Sequence, residues 1–359
     1  MRLASSSAST DGSPCEASTP GDAQRTSAAR HAARGASGGW HARGLRVGRR
    51  GAACYDERAM STVIPLRALK RREPKPGWLK VRAPGSDNYV RLKGLMRDLA
   101  LNTVCEEAHC PNIGECWHHG TATFMILGDV CTRACGYCAV AHGKPPVYDL
   151  QEPGRVAHAV ETLGLRYVVV TSVDRDDLAD GGAHVFAETI RQIRARTSGV
   201  RVEVLIPDFQ GKAEPLHAVL DAGPDVLNHN IETVPRLYRV ARSGGRYTRS
   251  LELLDRARRY APHIPTKSGL MVGLGEEWDE VLATLRDLRA VGVEILTIGQ
   301  YLSPSPQHLP MARYYEPREF DELRRLALDM GFGHVESGPL VRSSYHAHEQ
   351  ADAFARART

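Results

Sequence analysis

Apolar positions in this chain follow two periods. Short runs rich in β-branched residues at Thr123–Leu127, Tyr167–Thr171, Arg201–Ile206, Asp225–Asn228, Lys267–Val272 and Glu294–Ile298 predict strands. Between and after them, Pro153–Leu163, Ala183–Arg196, Ala213–Leu220, Ser250–Tyr260, Glu277–Val291 and the stretch near Arg318–Met330 carry apolar residues at helical spacing. Six β–α units in a row imply a parallel sheet with helices outside it. No GxGxxG follows a strand, which weakens a dinucleotide-binding doubly wound sheet and leaves a complete or partial (β/α) barrel. A barrel gathers its chemistry at the C-terminal ends of its strands. Upstream, Tyr89–Ala100 predicts a short helix with Leu92, Leu95, Met96 and Leu99 on one face.

The flanks read differently. Residues 1–59 are rich in Ala, Ser, Gly and Arg, show neither period, and hold too few large apolar residues to offset the entropy of ordering. A transit peptide is Arg- and Ser-rich but poor in acids, a pattern that Asp11, Glu16, Asp22, Asp56 and Glu57 spoil. The favoured reading is an extension upstream of a bacterial start at Met60, with a cytoplasmic chain; a mitochondrial or plastid protein is the alternative. From about 60 to 90 the chain is basic, with Pro65, Pro74, Pro76 and Pro84, and predicts an extended arm. Arg67, Lys70, Arg71, Arg72, Lys75 and Lys80 on it suit an acidic protein partner, although solvated charge is the simpler reading. The expected organisation is a flanking segment 1–59, an N-terminal arm with a cysteine motif at 60–120, a barrel core at 121–345 and a C-terminal tail at 346–359.

Composition narrows the classes. The 359 residues are 42% hydrophobic, ample for a large core. The 47 basic and 42 acidic residues nearly balance, and aromatics are 6%, so no basic, aromatic nucleic-acid face is expected. No apolar run is long enough for a membrane helix. Six of the eight cysteines fall in the 34 positions from Cys105 to Cys138. Thiols so crowded in a large chain point to metal in a reducing compartment; Cys15 and Cys54 read as incidental.

Cys131, Cys135 and Cys138 form CxxxCxxC directly after the first predicted strand, with Tyr137 before the last thiol. Three thiolates bind three irons of a 4Fe–4S cluster and leave the fourth open. Zinc hooks come as well-separated CxxC pairs, which this spacing does not match. Cys105, Cys110 and Cys116 form CxxxxCxxxxxC, an irregular spacing that predicts a loop around a cluster, or a zinc site completed by His109 or His118.

The first motif resembles the CxxxCxΦC signature of the radical SAM superfamily, in which the open iron chelates S-adenosylmethionine and reductive cleavage yields a 5′-deoxyadenosyl radical. The stretch Cys105–Glu106–Glu107–Ala108–His109–Cys110–Pro111–Asn112, followed by Cys116, resembles the auxiliary-cluster motif of lipoyl synthases. Arg342–Ser343–Ser344–Tyr345 resembles their RSSY motif, as do Val173–Leu178, Leu205–Phe209, Asn228–Val234 and Gly273–Glu276 their family stretches. The resemblance spans roughly 75–345 and departs at Ala179, where the family's acidic turn has proline.

The resemblance implies an α/β fold, a partial (β/α)6 TIM-like barrel of the radical SAM type with an N-terminal auxiliary-cluster extension. It implies two 4Fe–4S clusters and S-adenosylmethionine, the first cluster on Cys131, Cys135 and Cys138, the auxiliary one on Cys105, Cys110, Cys116 and Ser344. No catalytic residue is assigned beyond these ligands. The implied activity is insertion of sulfur from the auxiliary cluster at C6 and C8 of a protein-bound octanoyl-lysine. Serine oxygen is a harder donor than thiolate, so Ser344 is expected to mark the iron that leaves. Implied partners are octanoylated carrier domains (2-oxoacid dehydrogenase E2 subunits, glycine cleavage H protein), a ferredoxin- or flavodoxin-type electron donor and a cluster-repair carrier, with neither nucleic acid nor membrane.

Other residues carry weaker signals. Thr171, Ser172, Glu203, Asn228, Glu232, Lys267 and Gln300 fall near strand ends and form a candidate S-adenosylmethionine surface. Gly181–Gly182 and Gly273–Gly275 permit close ligand approach or simply make turns. His118 and His119, beside Trp117, fall near the auxiliary motif. Rival functions are a biotin synthase- or methylthiotransferase-like sulfur inserter, and a non-catalytic iron–sulfur or zinc protein that binds nucleic acid.

Overall fold

A computed structural model of the chain describes residues 74–358, apart from 82 and 119–121. Segment 1–59, Arg67, Lys70, Arg71, Arg72 and His119 therefore lie outside the described residues, whereas Lys75 and Lys80 are exposed. The elements run α1 (Asp87–Asp98), β1 (Asn102–Thr103), α2 (Val104–Glu107), α3 (Ile113–His118), β2 (Thr123–Ile126), β3 (Val130–Cys131) and β4 (Ala141–His142). There follow α4 (Glu152–Leu163), β5 (Tyr167–Ser172), α5 (Ala183–Arg196), β6 (Arg201–Leu205), α6 (Ala213–Asp221), β7 (Val226–Asn228), α7 (Tyr238–Ala241) and α8 (Tyr247–Tyr260). The last are β8 (Thr266–Val272), α9 (Trp278–Ala290), β9 (Ile295–Gln300), α10 (Pro317–Asp329), β10 (His334–Gly338) and α11 (Ala347–Arg358).

The six expected strands are all present as β2 and β5–β9, each followed by its expected helix. The main sheet runs β1-β2-β5-β6-β7-β8-β9-β10, parallel except for the antiparallel β1. Neighbours in sequence are neighbours in space, as consecutive β–α crossovers produce. The sheet is open, since β1 and β10 do not pair. It nevertheless curls: Thr123 on β2 and Thr297 on β9 line one cavity, although four strands separate theirs. Outside, α4, α5 and the helices after them bury faces such as Val156, Ala157 and Val160, or Phe186, Ile190 and Ile193, against the strands. No helix among the described residues is long and apolar enough to cross a membrane.

Two expectations change. β10 adds a seventh parallel strand, which lacks an apolar run because only Val335 of its five residues is buried. The expected tail at 346–359 forms α11, whose Ala347, Ala351 and Phe354 pack on Tyr167, Val169, Val226 and Ile295. These strand residues point inward near the strand starts, so α11 covers the N-terminal end of the curled sheet. Arg201 and Asp352 pair at 2.6 Å beside this contact.

Candidate functional site

The first thiol set is fixed by the loop between β2 and α4. Leu127 and Gly128 adopt positive φ (70° and 89°), turning the chain out of β2. The buried Glu152 carboxylate at the start of α4 accepts from the Leu127 N–H at 2.7 Å and holds that turn. The Cys131 sulfur accepts from the backbone N–H groups of Arg133 (3.4 Å) and Asp174 (3.3 Å). The Gly136 N–H donates to Ala241 O, its carbonyl accepts from Leu309 N–H, and His308 Nε2 lies 2.9 Å from the Cys138 carbonyl. A Cβ at Gly136 would stand 2.9 Å from Leu309 Cγ, so the close fit of this loop requires glycine there.

Arg133, between the first two thiols, is buried and reaches three carboxylates: Asp176 (2.7 Å), Asp208 (2.6 Å) and Asp174 (3.5 Å). These come from the loops after β5 and β6, so one guanidinium ties the cysteine loop to the ends of two neighbouring strands. Burial acts against the Asp208 carboxylate, yet its bond to Arg133 holds its pKa well below the usual range. Sequence reasoning missed this network; the one signal was an arginine inside the thiol motif facing a run of aspartates at 174–177.

The second set sits on α2 and α3. The irregular spacing predicted a loop, but Cys105 lies in α2 and Cys116 in α3, with Cys110 in the connection. Thr103 caps α2 by accepting from the Glu106 N–H. Trp117 is fully buried below α3 and packs on Tyr89 of α1, ring centroids 5.0 Å apart. The C-terminal RSSY stretch docks here: Asn112 Nδ2 donates to Leu340 O at 2.6 Å, and Tyr345 donates its phenol proton to Glu115 at 3.2 Å.

The outcome is one open cavity of about 870 Å³. Cys105, Cys110 and Cys116 line it together with Ser343 and Ser344, Arg342, and the barrel residues Asn230, Glu232, Leu270, Met271 and Thr297. Neither His109 nor His118 lines it, and His109 is exposed. Glu232 lines this cavity, and burial raises its carboxylate pKa against the nearby Arg242, Asn230 and Tyr137. Glu232 holds φ at 68°, an uncommon conformation for a non-glycine residue.

The other candidates separate. Lys267 is the second residue of β8, at the strand's start and away from the mouth, and pairs with Glu203 at 2.9 Å with each side chain 1% exposed. Tyr167 and Asn228 also donate to Glu203. Glu203, Lys267 and Asn228 thus form an interior network and no strand-end surface. Gln300 is spent on the Arg313 carbonyl and the Tyr315 N–H, and the Thr171 hydroxyl on Leu205 O. Ser172 ends β5 with a buried hydroxyl that has no partner among the described residues. The glycine pairs act as tight turns: a Cβ at Gly182 would meet Leu127 at 2.2 Å, and one at Gly273 would meet Gln300 at 2.1 Å. Ala179, the departure from the family turn, offers its carbonyl to Lys212 at 2.7 Å.

The donor chemistry fits two iron–sulfur clusters. All six cysteines of the two sets are free. Burial, with Cys110 next, pushes Cys105 up to about 12; burial and then Asp174 push Cys131 up to about 11; burial pushes Cys135 up to about 12. Burial, followed by the neighbouring Cys105 and Cys110, also raises Cys116. Such thiols ionise only against strong local positive charge, which bound iron would supply. Among the described residues, no three His, Cys, Asp or Glu side chains converge to hold a single ion, as a tetrahedral zinc site requires. Each set instead offers three thiols, those of the second around the open cavity, and three is the ligand count that leaves one iron of a four-iron cluster without cysteine.

Comparison with known proteins agrees. Residues 125–288 match the radical SAM superfamily, and residues 57–110 match the N-terminal domain of lipoyl synthase of the radical SAM family. The lipoyl synthase of Rubrobacter xylanophilus is 60% identical over 289 residues, 80% of this chain and 90% of that protein. That of Koribacter versatilis is 61% identical over 284 residues, 79% of this chain and 93% of that protein. Among solved structures, the FeFe-hydrogenase maturase of Carboxydothermus hydrogenoformans shares the fold, with a TM-score of 0.50 and 17% identity over 64% of this chain and 56% of that one. The chain belongs to the lipoyl synthase family of the radical SAM superfamily.

Proposed function

We propose that this lipoyl synthase carries its two 4Fe–4S clusters on the two thiol sets. Cys131, Cys135 and Cys138 hold the cluster whose open iron takes S-adenosylmethionine; Cys105, Cys110, Cys116 and Ser344 hold the auxiliary one. The reaction is insertion of two sulfur atoms at C6 and C8 of an octanoyl group on a carrier lysine. The observation that carries the assignment is the cavity in which Cys105 of α2, Cys116 of α3 and Cys110 between them meet Ser344. When bound, the clusters and S-adenosylmethionine supply one-electron chemistry able to open an unactivated C–H bond, and the sulfur itself.

The chain's own residues supply the surroundings. Val104, Leu270, Met271 and Val341 give the cavity an apolar wall suited to an acyl chain. Arg342 lines it near Cys110; burial works against this guanidinium and the Cys110 charge favours it. Ser344 offers a harder oxygen where a fourth thiol would bind more firmly.

The same reading divides the chain into an auxiliary-cluster extension at 60–120 and a barrel core at 121–345. Its substrates are octanoylated carrier domains, of E2 subunits and of the glycine cleavage H protein. A ferredoxin or flavodoxin is the electron donor, and a carrier protein rebuilds the auxiliary cluster. The bacterial relatives support a cytoplasmic location.

The test is turnover of the anaerobically reconstituted chain with dithionite, S-adenosylmethionine and an octanoyl-lysine peptide, followed by mass spectrometry. The expected products are 5′-deoxyadenosine and a lipoyl peptide, and Ser344→Cys is expected to lose sulfur insertion while keeping 5′-deoxyadenosine. Full double insertion by Ser344→Cys would refute the role given to the serine oxygen. Cleavage of S-adenosylmethionine without any sulfur product in the parent would reopen the substrate.

A further inference from the structure

We infer that the exposed segment from Arg239 to Arg246 is the docking surface for an acidic one-electron carrier protein that reduces the cluster on Cys131, Cys135 and Cys138. The inference rests on the assignment of that cluster. Cys135 Sγ lies 4.0 Å from the Ser243 carbonyl, and the Gly136 N–H donates to Ala241 O, so this segment is the wall of the thiol loop. Ser243 and Gly244 are themselves exposed and carry little side chain. A Cβ at Gly244 would stand 3.2 Å from Arg133, and one at Gly245 2.8 Å from Arg242, which keeps this wall one backbone thick. Electron transfer weakens steeply with distance, and here a partner comes within a peptide's width of a cluster ligand.

The charge on the segment selects the partner. Five arginines fall between 236 and 249. Arg236 is neutralised by Glu280 at 2.7 Å, and Arg249 by Asp208 at 3.1 Å. Arg242 is buried and donates to Asn230 O, Tyr238 and Ser250. Arg239 and Arg246 are exposed, and neither forms an ion pair among the described residues. Between them Val240 is 61% exposed, an apolar contact framed by cations. An acidic surface with an apolar centre complements this patch, and complementary charge accelerates encounter. In the step itself the carrier loses one electron and the cluster gains it; no bond forms or breaks.

The test uses the reconstituted holoenzyme and a reduced flavodoxin, an acidic flavoprotein, as the probe. Binding is followed by flavin fluorescence, and cluster reduction by stopped-flow absorbance, across a salt series. In the pair Arg239→Glu with Arg246→Glu, the apparent Kd is expected to rise roughly tenfold or more at low salt, with a flatter salt dependence. Iron content and dithionite-driven cleavage of S-adenosylmethionine stay at the parent level. The neutral pair Arg239→Gln with Arg246→Gln moves the same way by a smaller factor. Unchanged flavodoxin affinity and salt slope in both pairs would overturn the proposal, as would a loss confined to an octanoylated carrier domain. A parent without iron absorbance would overturn the cluster assignment, and this inference with it.

Discussion

Tyr345 donates its hydroxyl to the Glu115 carboxylate at 3.2 Å, joining positions 230 residues apart. The bond fastens the RSSY stretch to the helix that carries Cys116. His346 stands 3.6 Å from the same carboxylate. Ser344 is thereby held beside the second thiol set by its neighbours on both the sequence and the fold. Tyr345→Phe is expected to cost about 1 kcal/mol of stability, the net worth of one partly exposed bond. It also speeds loss of auxiliary iron to a chelator while leaving iron on the first set in place. Equal rates of iron loss in parent and variant would show that Ser344 needs no such fastening.

Arg133 is shared by three carboxylates, one of them fully buried. Replacing it with Met removes the cation from Asp174 and Asp176 and leaves Asp208 with Arg249 alone. The expected loss is about 3–5 kcal/mol in urea unfolding, the cost of breaking a buried ion network from one side. Arg133→Lys recovers part of it, because an ammonium does not reproduce the two-pronged contact with Asp176. A near-neutral Arg133→Met would show that the three loops need no common tie.

Inside the sheet, Lys267 and Glu203 form a pair excluded from water. Glu203→Gln alone and Lys267→Met alone are each expected to destabilise by about 3–5 kcal/mol, because each leaves an uncompensated charge. The double variant is expected to recover most of that loss. Additive single losses, measured by the same unfolding experiment, would mean that the two groups are not coupled.

The buried His229 is expected to add acid sensitivity to the barrel. Its Nδ1 lies 2.8 Å from the Ile206 carbonyl, which can only accept, so Nδ1 bears the proton and Nε2 accepts from Ser250. Burial, then the nearby Arg242, lowers its pKa from 6.5 to about 3. Below pH 6.5 the unfolded chain takes up a proton that the folded chain refuses until about pH 3. Stability therefore falls as pH drops through that window, by about 2 kcal/mol between pH 7 and pH 5. His229→Gln is less stable at pH 7 and is expected to lose this part of the pH dependence. An unaltered slope in the variant would assign the acid sensitivity elsewhere.

Much of this fold was legible before the structure, for physical reasons. β5 is almost wholly buried, so Tyr167–Val170 reads as an unbroken apolar run, β8 shows its burial only in its last three residues, Leu270, Met271 and Val272, and the helices between strands bury one face. β10 was invisible because four of its five residues are only partly buried and polar or small. α2 and α3, of four and six residues, are too short to display a period. α11 hid its buried face in alanines, with Phe354 as the one large apolar anchor. The thiols announced themselves by spacing. The groups that position them did not, since Arg133 finds its carboxylates 43 and 75 residues away. Lys267 and Glu203 were misplaced at the mouth because a pattern of strands does not say how deep a side chain lies.

The most direct measurement is iron and sulfide content after anaerobic reconstitution of three proteins: the parent, the triple variant at Cys105, Cys110 and Cys116, and the triple variant at Cys131, Cys135 and Cys138. The account predicts about eight irons in the parent and about four in each variant. The first variant keeps cleavage of S-adenosylmethionine without sulfur insertion, and the second loses both. About four irons in the parent, bound zinc, or a triple variant that keeps the parent's iron would contradict the assignment of one cluster to each thiol set.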